Sequence, residues 1–226
     1  MKVSVILTTY NRPAMLKKAV ESVISQTYPD WELLVMDDAS DMKEQHDVLD
    51  WIAQQKNCTV YLGEVPADRK ATVRYATLIN NALKKVTGEL VTYLCDDDFY
   101  YPERLDTMVK HLQANPEHLI VYGKQKLFSL QPDGSLIDFP TPIRYVGDSV
   151  DRASCNVDHS SVMHFTYLAD RVGGWNDDPR WWGEGDGAFF DRLNDAGYKF
   201  HGIPEILDAH VYHDGSWTKD GRWRSL

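Results

Sequence analysis

Four short apolar runs, separated by segments whose apolar residues recur at helical spacing, fill the first hundred residues of this chain. Val3-Ser4-Val5-Ile6-Leu7-Thr8-Thr9 is β-branched and almost continuously apolar, as a central parallel strand buried on both faces must be. Pro13 can open the helix that follows, in which Leu16, Ala19, Val20, Val23 and Ile24 share one face. Residues 31–36 read as a second strand, 46–55 as a helix and 59–62 as a third strand. A longer helix over 72–85 has Tyr75, Leu78, Ile79, Ala82 and Leu83 on one side and is ended by Gly88, and 89–94 is the fourth strand. Parallel neighbours need crossover connections, and those are right-handed. The expected fold class is therefore α/β, built on a doubly wound, mostly parallel sheet.

The second half is less regular. Pro102 starts a helix to about residue 114, and 119–122 is a strand that ends before Gly123. Residues 124–160 carry Pro132-Asp133-Gly134, then Pro140 and Pro142, and read as hairpin and loop. Residues 175–184, rich in Trp, Gly, Asp and Pro, suit an ordered loop over a site, and 188–196 form a helix capped by Gly197. Nothing repeats and no low-complexity linker divides the 226 residues, so one domain over 1–226 is expected.

Two of the early strands end in acid. Cys95-Asp96-Asp97-Asp98 places three adjacent carboxylates where a buried strand emerges, a costly arrangement unless a cation or a set of donors offsets the charge. Ligands of open α/β sheets bind at the carboxyl ends of strands, and hard oxygen donors suit Mg²⁺ or Mn²⁺. A lone acidic run reads better as a solvated turn capping the next helix. The second acidic end, Met36-Asp37-Asp38, shifts the balance toward a ligand carrying both phosphates and hydroxyls. At the end of the first strand, Tyr10 can stack on a base and Arg12 can bind phosphate through two N–H groups, or the pair can cap the core and face solvent. Asp37 and Asp38 each also qualify as a helix N-cap. Arg69 and Arg74 supply fixed positive charge, although a surface ion pair explains Arg74 as well.

A formal charge of −10 argues against nucleic acid or an anionic membrane as the main partner, and leaves room for a phosphate ligand bridged by a divalent ion. Cys58, Cys95 and Cys155 are odd in number and widely spaced, with no CxxC, which argues against a zinc site or disulfide framework and suits a reducing compartment. The first residues do not resemble a signal peptide and no apolar stretch approaches membrane-spanning length, so a cytoplasmic protein is expected. Thr9-Tyr10-Asn11-Arg12 contains no glycine, against both a dinucleotide oxidoreductase and a sugar-1-phosphate nucleotidyltransferase. A non-catalytic nucleotide- or carbohydrate-binding module is the alternative to an enzyme.

Seven segments in order resemble the family-2 glycosyltransferases of GT-A fold: residues 3–12, residues 19–27, Asp37-Asp38-Ala39-Ser40, Asn80 with Gly88-Glu89, the acidic run before Tyr100-Tyr101-Pro102-Glu103-Arg104-Leu105, Gly183-Glu184-Gly185-Asp186, and Ala196-Gly197-Tyr198-Lys199. Arg74-Tyr75-Ala76, residues 158–164 and Gly185-Asp186 before Phe189-Phe190 resemble the spore-coat polysaccharide branch of that family. The resemblance implies a donor half over about 1–100 and an acceptor half over about 101–226. It implies transfer of a sugar from a UDP- or dTDP-sugar to a hydroxyl acceptor, with inversion and with Mn²⁺ or Mg²⁺, in polysaccharide or glycoconjugate synthesis. It assigns Thr8, Tyr10, Arg12, Asp38, Arg69 and Asp96 to the nucleotide, and Asp97 and Asp98 to the metal, Asp98 alternatively capping the next helix. Asp186, alternatively an N-cap, becomes the catalytic base with Glu184 in reserve, and Asp158, His159, Trp182 and His213 face acceptor or diphosphate, His213 being a better match than His210. Two positions depart from the family: Cys95 stands where many relatives have Asp, and Gly185 where relatives often have Glu.

Overall fold

The computed structural model describes residues 1–154, 156–181 and 184–214. Strand β1 (Val3–Thr9) lies between two parallel neighbours, β2 (Trp31–Asp37) and β4 (Leu90–Cys95), and β3 (Cys58–Leu62) extends the sheet beyond β2. Because β-strand side chains alternate, the central strands feed two cores. Val5, Leu7, Leu33 and Val35 meet α1 (Pro13–Ile24), α2 (Lys43–Ala53) and α4 (Arg104–Ala114) on one face. Ile6, Leu34, Met36 and Tyr93 meet α3 (Arg74–Leu83) and α6 (Gly185–Asp195) on the other. The doubly wound expectation holds.

After β4 come the short β5 (Phe99–Tyr100), β6 (Ile120–Leu130), β7 (Leu136–Arg144), β8 (Ser149–Val150), β9 (Val162–Phe165), α5 (Tyr167–Arg171) and β10 (Phe200–Tyr212). The sheet order is β3-β2-β1-β4-β9-β6-β10-β5, with β7 on β6 and β8 on β10. β9 runs antiparallel between β4 and β6, while β6 and β10 are parallel to each other. The segment read as hairpin and loop is a hairpin of β6 and β7.

Two of the boundaries that differ from the sequence reading lie at glycine. β6 runs straight through Gly123, because a Cβ there would lie 2.8 Å from the Leu207 side chain: the glycine serves close packing, not a strand end. α6 begins at Gly185, three residues before the expected start. A Cβ at Gly185 would meet the Tyr75 hydroxyl at 2.8 Å, and the Gly185 N–H donates to that hydroxyl at 2.9 Å. Asp186 is therefore inside the first turn and Glu184 holds the N-cap position, without a side-chain cap. Likewise Glu103, not Asp98, precedes α4.

Parallel register decides what meets at the carboxyl ends. Thr9 pairs with Asp37 and Thr8 with Cys95, so the turns after β1, β2 and β4 open on one crevice where the strand order reverses. The antiparallel β9 brings the turn before it, Asp158 to Ser160, to the same end. No helix among the described residues is long and apolar enough to cross a membrane.

Candidate active site

The turn after β2 is held by Asp37, which accepts from the Ser40 N–H at 2.8 Å and the Ser40 hydroxyl at 2.6 Å. Between them Ala39 takes a left-handed φ of 56°, which costs a non-glycine residue about 1–2 kcal/mol. Asp38 then points to two arginines. Arg69 Nη1 donates to Asp38 Oδ2 at 2.5 Å, and Arg74 bonds Oδ1 through Nη2 and, at 2.9 Å, through Nε. The Arg69 guanidinium also lies over the Tyr10 ring, 3.8 Å from its centroid, a cation–π contact. Two guanidinium groups on one carboxylate leave a net positive face beside a half-exposed aromatic ring. Asp38, Arg69 and Tyr10 are thus one unit, and Arg74, not assigned a ligand role in the sequence, is part of it. Thr8 stands in β1 between Met36 and Cys95.

The acidic run divides into three different carboxylates. Asp96 accepts from the Thr9 hydroxyl at 2.8 Å, the Tyr10 N–H at 3.3 Å and Arg12 Nη1 at 3.0 Å. Burial, with Asp97 beside it, pushes Asp96 up to about 6 against the pull of Arg12. Asp97 Oδ2 accepts from the same Arg12 Nη1 and lies against His213 Nε2, each at 3.0 Å. Burial opposes ionisation here too, yet the His213 hydrogen bond and the Arg12 charge outweigh it and hold Asp97 below the usual carboxylate range. Asp98 is only 2% exposed; the Val211 N–H donates to one oxygen at 3.1 Å and the Ser160 hydroxyl to the other at 2.9 Å. His210 Nδ1 lies 3.1 Å from Oδ1, and Asp98 with Asp158 raises that imidazole to about 9 although burial lowers it.

Below the run, Arg104 is fully buried and joins the strands that carry these groups. Its Nη2 donates to the Thr92 hydroxyl and the Ser160 carbonyl, each at 2.9 Å, Nε reaches Asp208 at 3.3 Å, and the guanidinium packs on the Tyr100 ring. The sequence placed Arg104 in a motif but gave no sign that it is interior.

On the far side of the crevice, Asp158 caps a single 3₁₀ turn (His159–Ser161) by accepting from the Ser160 N–H at 2.9 Å, and Arg144 reaches it at 3.2 Å. Burial would raise Asp158; His210, His159 and Arg144 hold it well below the usual range. Arg144, from a segment without a motif, had no signal in the sequence. His159 spans the crevice: Nε2 lies 3.2 Å from Cys95 Sγ, and Nδ1 lies 3.5 Å from Asp186 Oδ2. Burial pushes the Cys95 thiol up to about 12, so it remains protonated. Asp186, a quarter exposed, also accepts from the Gly187 N–H at 2.8 Å. Glu184 is exposed. Trp182 and Gly183 lie outside the described residues. Asn80 bonds both the N–H and the carbonyl of Trp175, each at 2.8 Å, and fixes the start of the loop leading to Asp186. Trp175 is core, packed on Tyr93 and Phe189.

Ligand atoms of Cys95, Asp97 and Asp98 lie within 4.8 Å of one another, as do those of Asp98, Asp158 and His210, so either group could hold a metal ion. The donor chemistry separates them. A protonated thiol is a poor ligand for a hard ion, and both Asp98 oxygens already accept from the protein, whereas Asp97 keeps its charge and some exposure.

Comparison with known proteins agrees with this geometry. The family model described as glycosyl transferase family 2 matches residues 4–129. Protein CgeD of Bacillus subtilis (strain 168) is 43% identical over 217 residues, 92% of this chain and 49% of that protein. The putative glycosyltransferase EpsE of the same strain is 30% identical over 120 residues, 53% of this chain and 41% of EpsE. The chain spans about half the length of the curated relatives it matches. Among solved structures, S. aureus TarS 1–349 in complex with UDP-GlcNAc superposes with a TM-score of 0.74 at 18% identity, covering 96% of this chain and 60% of that one. Mannosyltransferase PcManGT from Pyrobaculum calidifontis, in complex with GDP-Man and Mn²⁺, gives 0.66 at 22% identity, covering 92% and 56%. At such identities the likeness shows the fold, the GT-A fold.

Proposed function

Because the chain belongs to glycosyl transferase family 2, we propose that it moves a sugar from a UDP- or dTDP-sugar to a hydroxyl acceptor in one inverting displacement, within polysaccharide or glycoconjugate synthesis. The observation that carries this reading is the convergence of three unlike groups on one crevice: the Tyr10–Arg69–Asp38 unit, the charged Asp97, and Asp186 reached through His159. The complexes of TarS with UDP-GlcNAc and of PcManGT with GDP-Man support a nucleoside diphosphate-sugar as the donor. In this reading residues 1–226 are one domain with the donor half over about 1–100, and the reaction is cytoplasmic, in keeping with the free thiols of Cys58 and Cys95.

Each group then has one task. Tyr10 stacks on the base, Asp38 reads base or ribose, and Asp96, held by Thr9 and Arg12, meets ribose hydroxyls with Thr8 alongside. Arg12 and Arg69 face the phosphates, with His213 beside them, and Asp158 and His159 border the acceptor. Asp97 with His213 would hold Mn²⁺ or Mg²⁺, Asp98 serving to position its neighbour. When bound, such an ion supplies countercharge to the departing diphosphate. Asp186 takes the acceptor hydroxyl proton while the new C–O bond forms at the anomeric carbon, and the nucleoside diphosphate leaves from the opposite face with the electrons of the broken bond.

Calorimetric titration with UDP and dTDP, in Mn²⁺ and then in EDTA, tests the donor and the metal together. Tight binding that requires Mn²⁺ is expected. Equal affinity in both would remove the metal, and no binding of either nucleotide would remove the proposal. Binding with neither hydrolysis nor transfer, across a panel of sugar donors and acceptors, would mark a binding module instead.

A further inference from the structure

His159 Nδ1 is a buried donor position without a hydrogen-bond partner among the described residues, and it faces one acceptor, Asp186 Oδ2, at 3.5 Å. We propose that His159 is the positioning residue of the base: its Nδ1–H orients the Asp186 carboxylate, and Cys95 fixes the ring so that this nitrogen carries the proton. The inference rests on the reading of Asp186 given above.

The ring has little freedom. It lies nearly parallel to Tyr75, at 14° with 6.1 Å between centroids, and edge-on to Trp175 at 5.5 Å, while Nε2 is taken up by Cys95 Sγ. Tyr75 also accepts the Gly185 N–H, so the aromatic clamp on the imidazole and the first residue of α6 are parts of one body. Asp186 follows in that first turn. A thiol S–H pointing at Nε2 leaves the ring proton on Nδ1. If the ring is doubly protonated, Nδ1 carries a proton as well. The remaining tautomer would set a bare lone pair against a carboxylate and is disfavoured. In each allowed state an N–H is aimed at Asp186.

A buried N–H without a partner is costly, and a closing movement of α6 by a few tenths of an ångström would give it one. Asp186 would then have Oδ2 bonded to His159 and Oδ1 to Gly187, leaving its remaining lone pairs for the acceptor hydroxyl. The same pair explains a departure from the family. A carboxylate in place of Cys95 would put acid at both nitrogens of the ring, whereas a thiol leaves the ring oriented toward Asp186 alone.

The test uses amide mimics of one ring nitrogen each. In His159→Asn the side-chain amide sits near the Nδ1 position and can still donate to Asp186; in His159→Gln it reaches toward Cys95 and leaves Nδ1 empty. With UDP- and dTDP-sugars as donors and nucleoside diphosphate release as readout, His159→Asn should keep on the order of tenfold more kcat than His159→Gln. His159→Gln should lose on the order of 10–100-fold in kcat, the scale for a misplaced catalytic group, with donor KM unchanged in both. Asp186→Asn is run beside them. If it is inactive while the two His159 variants behave alike, the positioning proposal is overturned and the base stands. If Asp186→Asn is fully active, the base reading has failed and takes this one with it. Nitrogen-15 imidazole spectra of the wild-type protein, assigned by loss of signals in His159→Gln, supply a readout independent of turnover. They should show Nδ1 protonated, and a ring protonated only at Nε2 would overturn the proposal.

Discussion

His210 Nδ1 sits 3.1 Å from Asp98 Oδ1, and this contact, reaching from β10, sets Asp98 apart from the two carboxylates before it. Asp98 is interior and fully bonded; Asp97, one residue earlier, is charged and borders the crevice.

Asp98→Asn would put an amide N–H₂ among the donors Val211 N–H, the Ser160 hydroxyl and His210. Breaking a buried charged pair of this kind costs about 3–5 kcal/mol. Asp97→Asn removes a less enclosed charge and should lower stability far less while abolishing the Mn²⁺ dependence of UDP binding. Urea denaturation and calorimetry on both variants separate the roles, and the opposite ranking would return Asp98 to the metal.

Arg69 and Arg74 share Asp38 unequally. Arg74 gives two nitrogens to the carboxylate and is the less exposed, while Arg69 gives one to the carboxylate and one, at 2.7 Å, to the Asp38 carbonyl, and lies over Tyr10. Arg69→Ala should weaken UDP by about 1.5–3 kcal/mol, the range for hydrogen bonds to charged groups, and weaken uridine much less. Arg74→Ala should instead lower the melting temperature more than it changes the ratio of UDP to uridine affinity. Uniform losses across nucleoside, monophosphate and diphosphate would refute the assignment of Arg69 to phosphate.

Asp186→Asn should cut turnover by about 10²–10⁴-fold, the usual worth of a general base, with donor affinity almost unchanged. Since Asp186 is inside the first turn of α6 and Asn can still accept from the Gly187 N–H, the stability cost should be limited to a favourable charge near the helix N-terminus, about 0.3–1 kcal/mol. Glu184→Gln, at an exposed position, should transfer sugar normally. A dead Glu184→Gln beside an active Asp186→Asn would exchange the two roles.

His164 lies in the sheet with no exposure, donating from Nδ1 to the Phe165 carbonyl and accepting at Nε2 from the Tyr93 hydroxyl, each at 2.8 Å. Burial lowers its imidazole to about 4. Between the ordinary value of 6.5 and that value the unfolded chain takes up a proton here and the folded chain does not. The contribution is therefore complete above pH 6.5 and is lost as the pH falls toward 4, to a total of about 3 kcal/mol. Stability measured across this window in wild type and His164→Gln should show a steeper acid loss in wild type. Parallel curves would place the titration elsewhere.

The first hundred residues could be read because their signals are local. A β-branched run buried on both faces, a helix opened by Pro13 and acidic residues at the ends of two strands follow from neighbouring residues, and parallel register then brings Tyr10, Arg12, Asp38 and Asp96 to one crevice. The partners on the acceptor side belong to another scale. Arg144 meets Asp158, His159 meets Cys95 and Arg104 meets Asp208 across 14, 64 and 104 positions, and no periodicity links such pairs. They meet because β9 enters antiparallel between β4 and β6 and β10 returns beside β6, which only the packing of the whole sheet decides. Gly185 makes the same point at one residue. Low helix propensity argues for a loop there, yet the helix starts at that position because the Tyr75 hydroxyl, 110 residues away, leaves no space for a side chain.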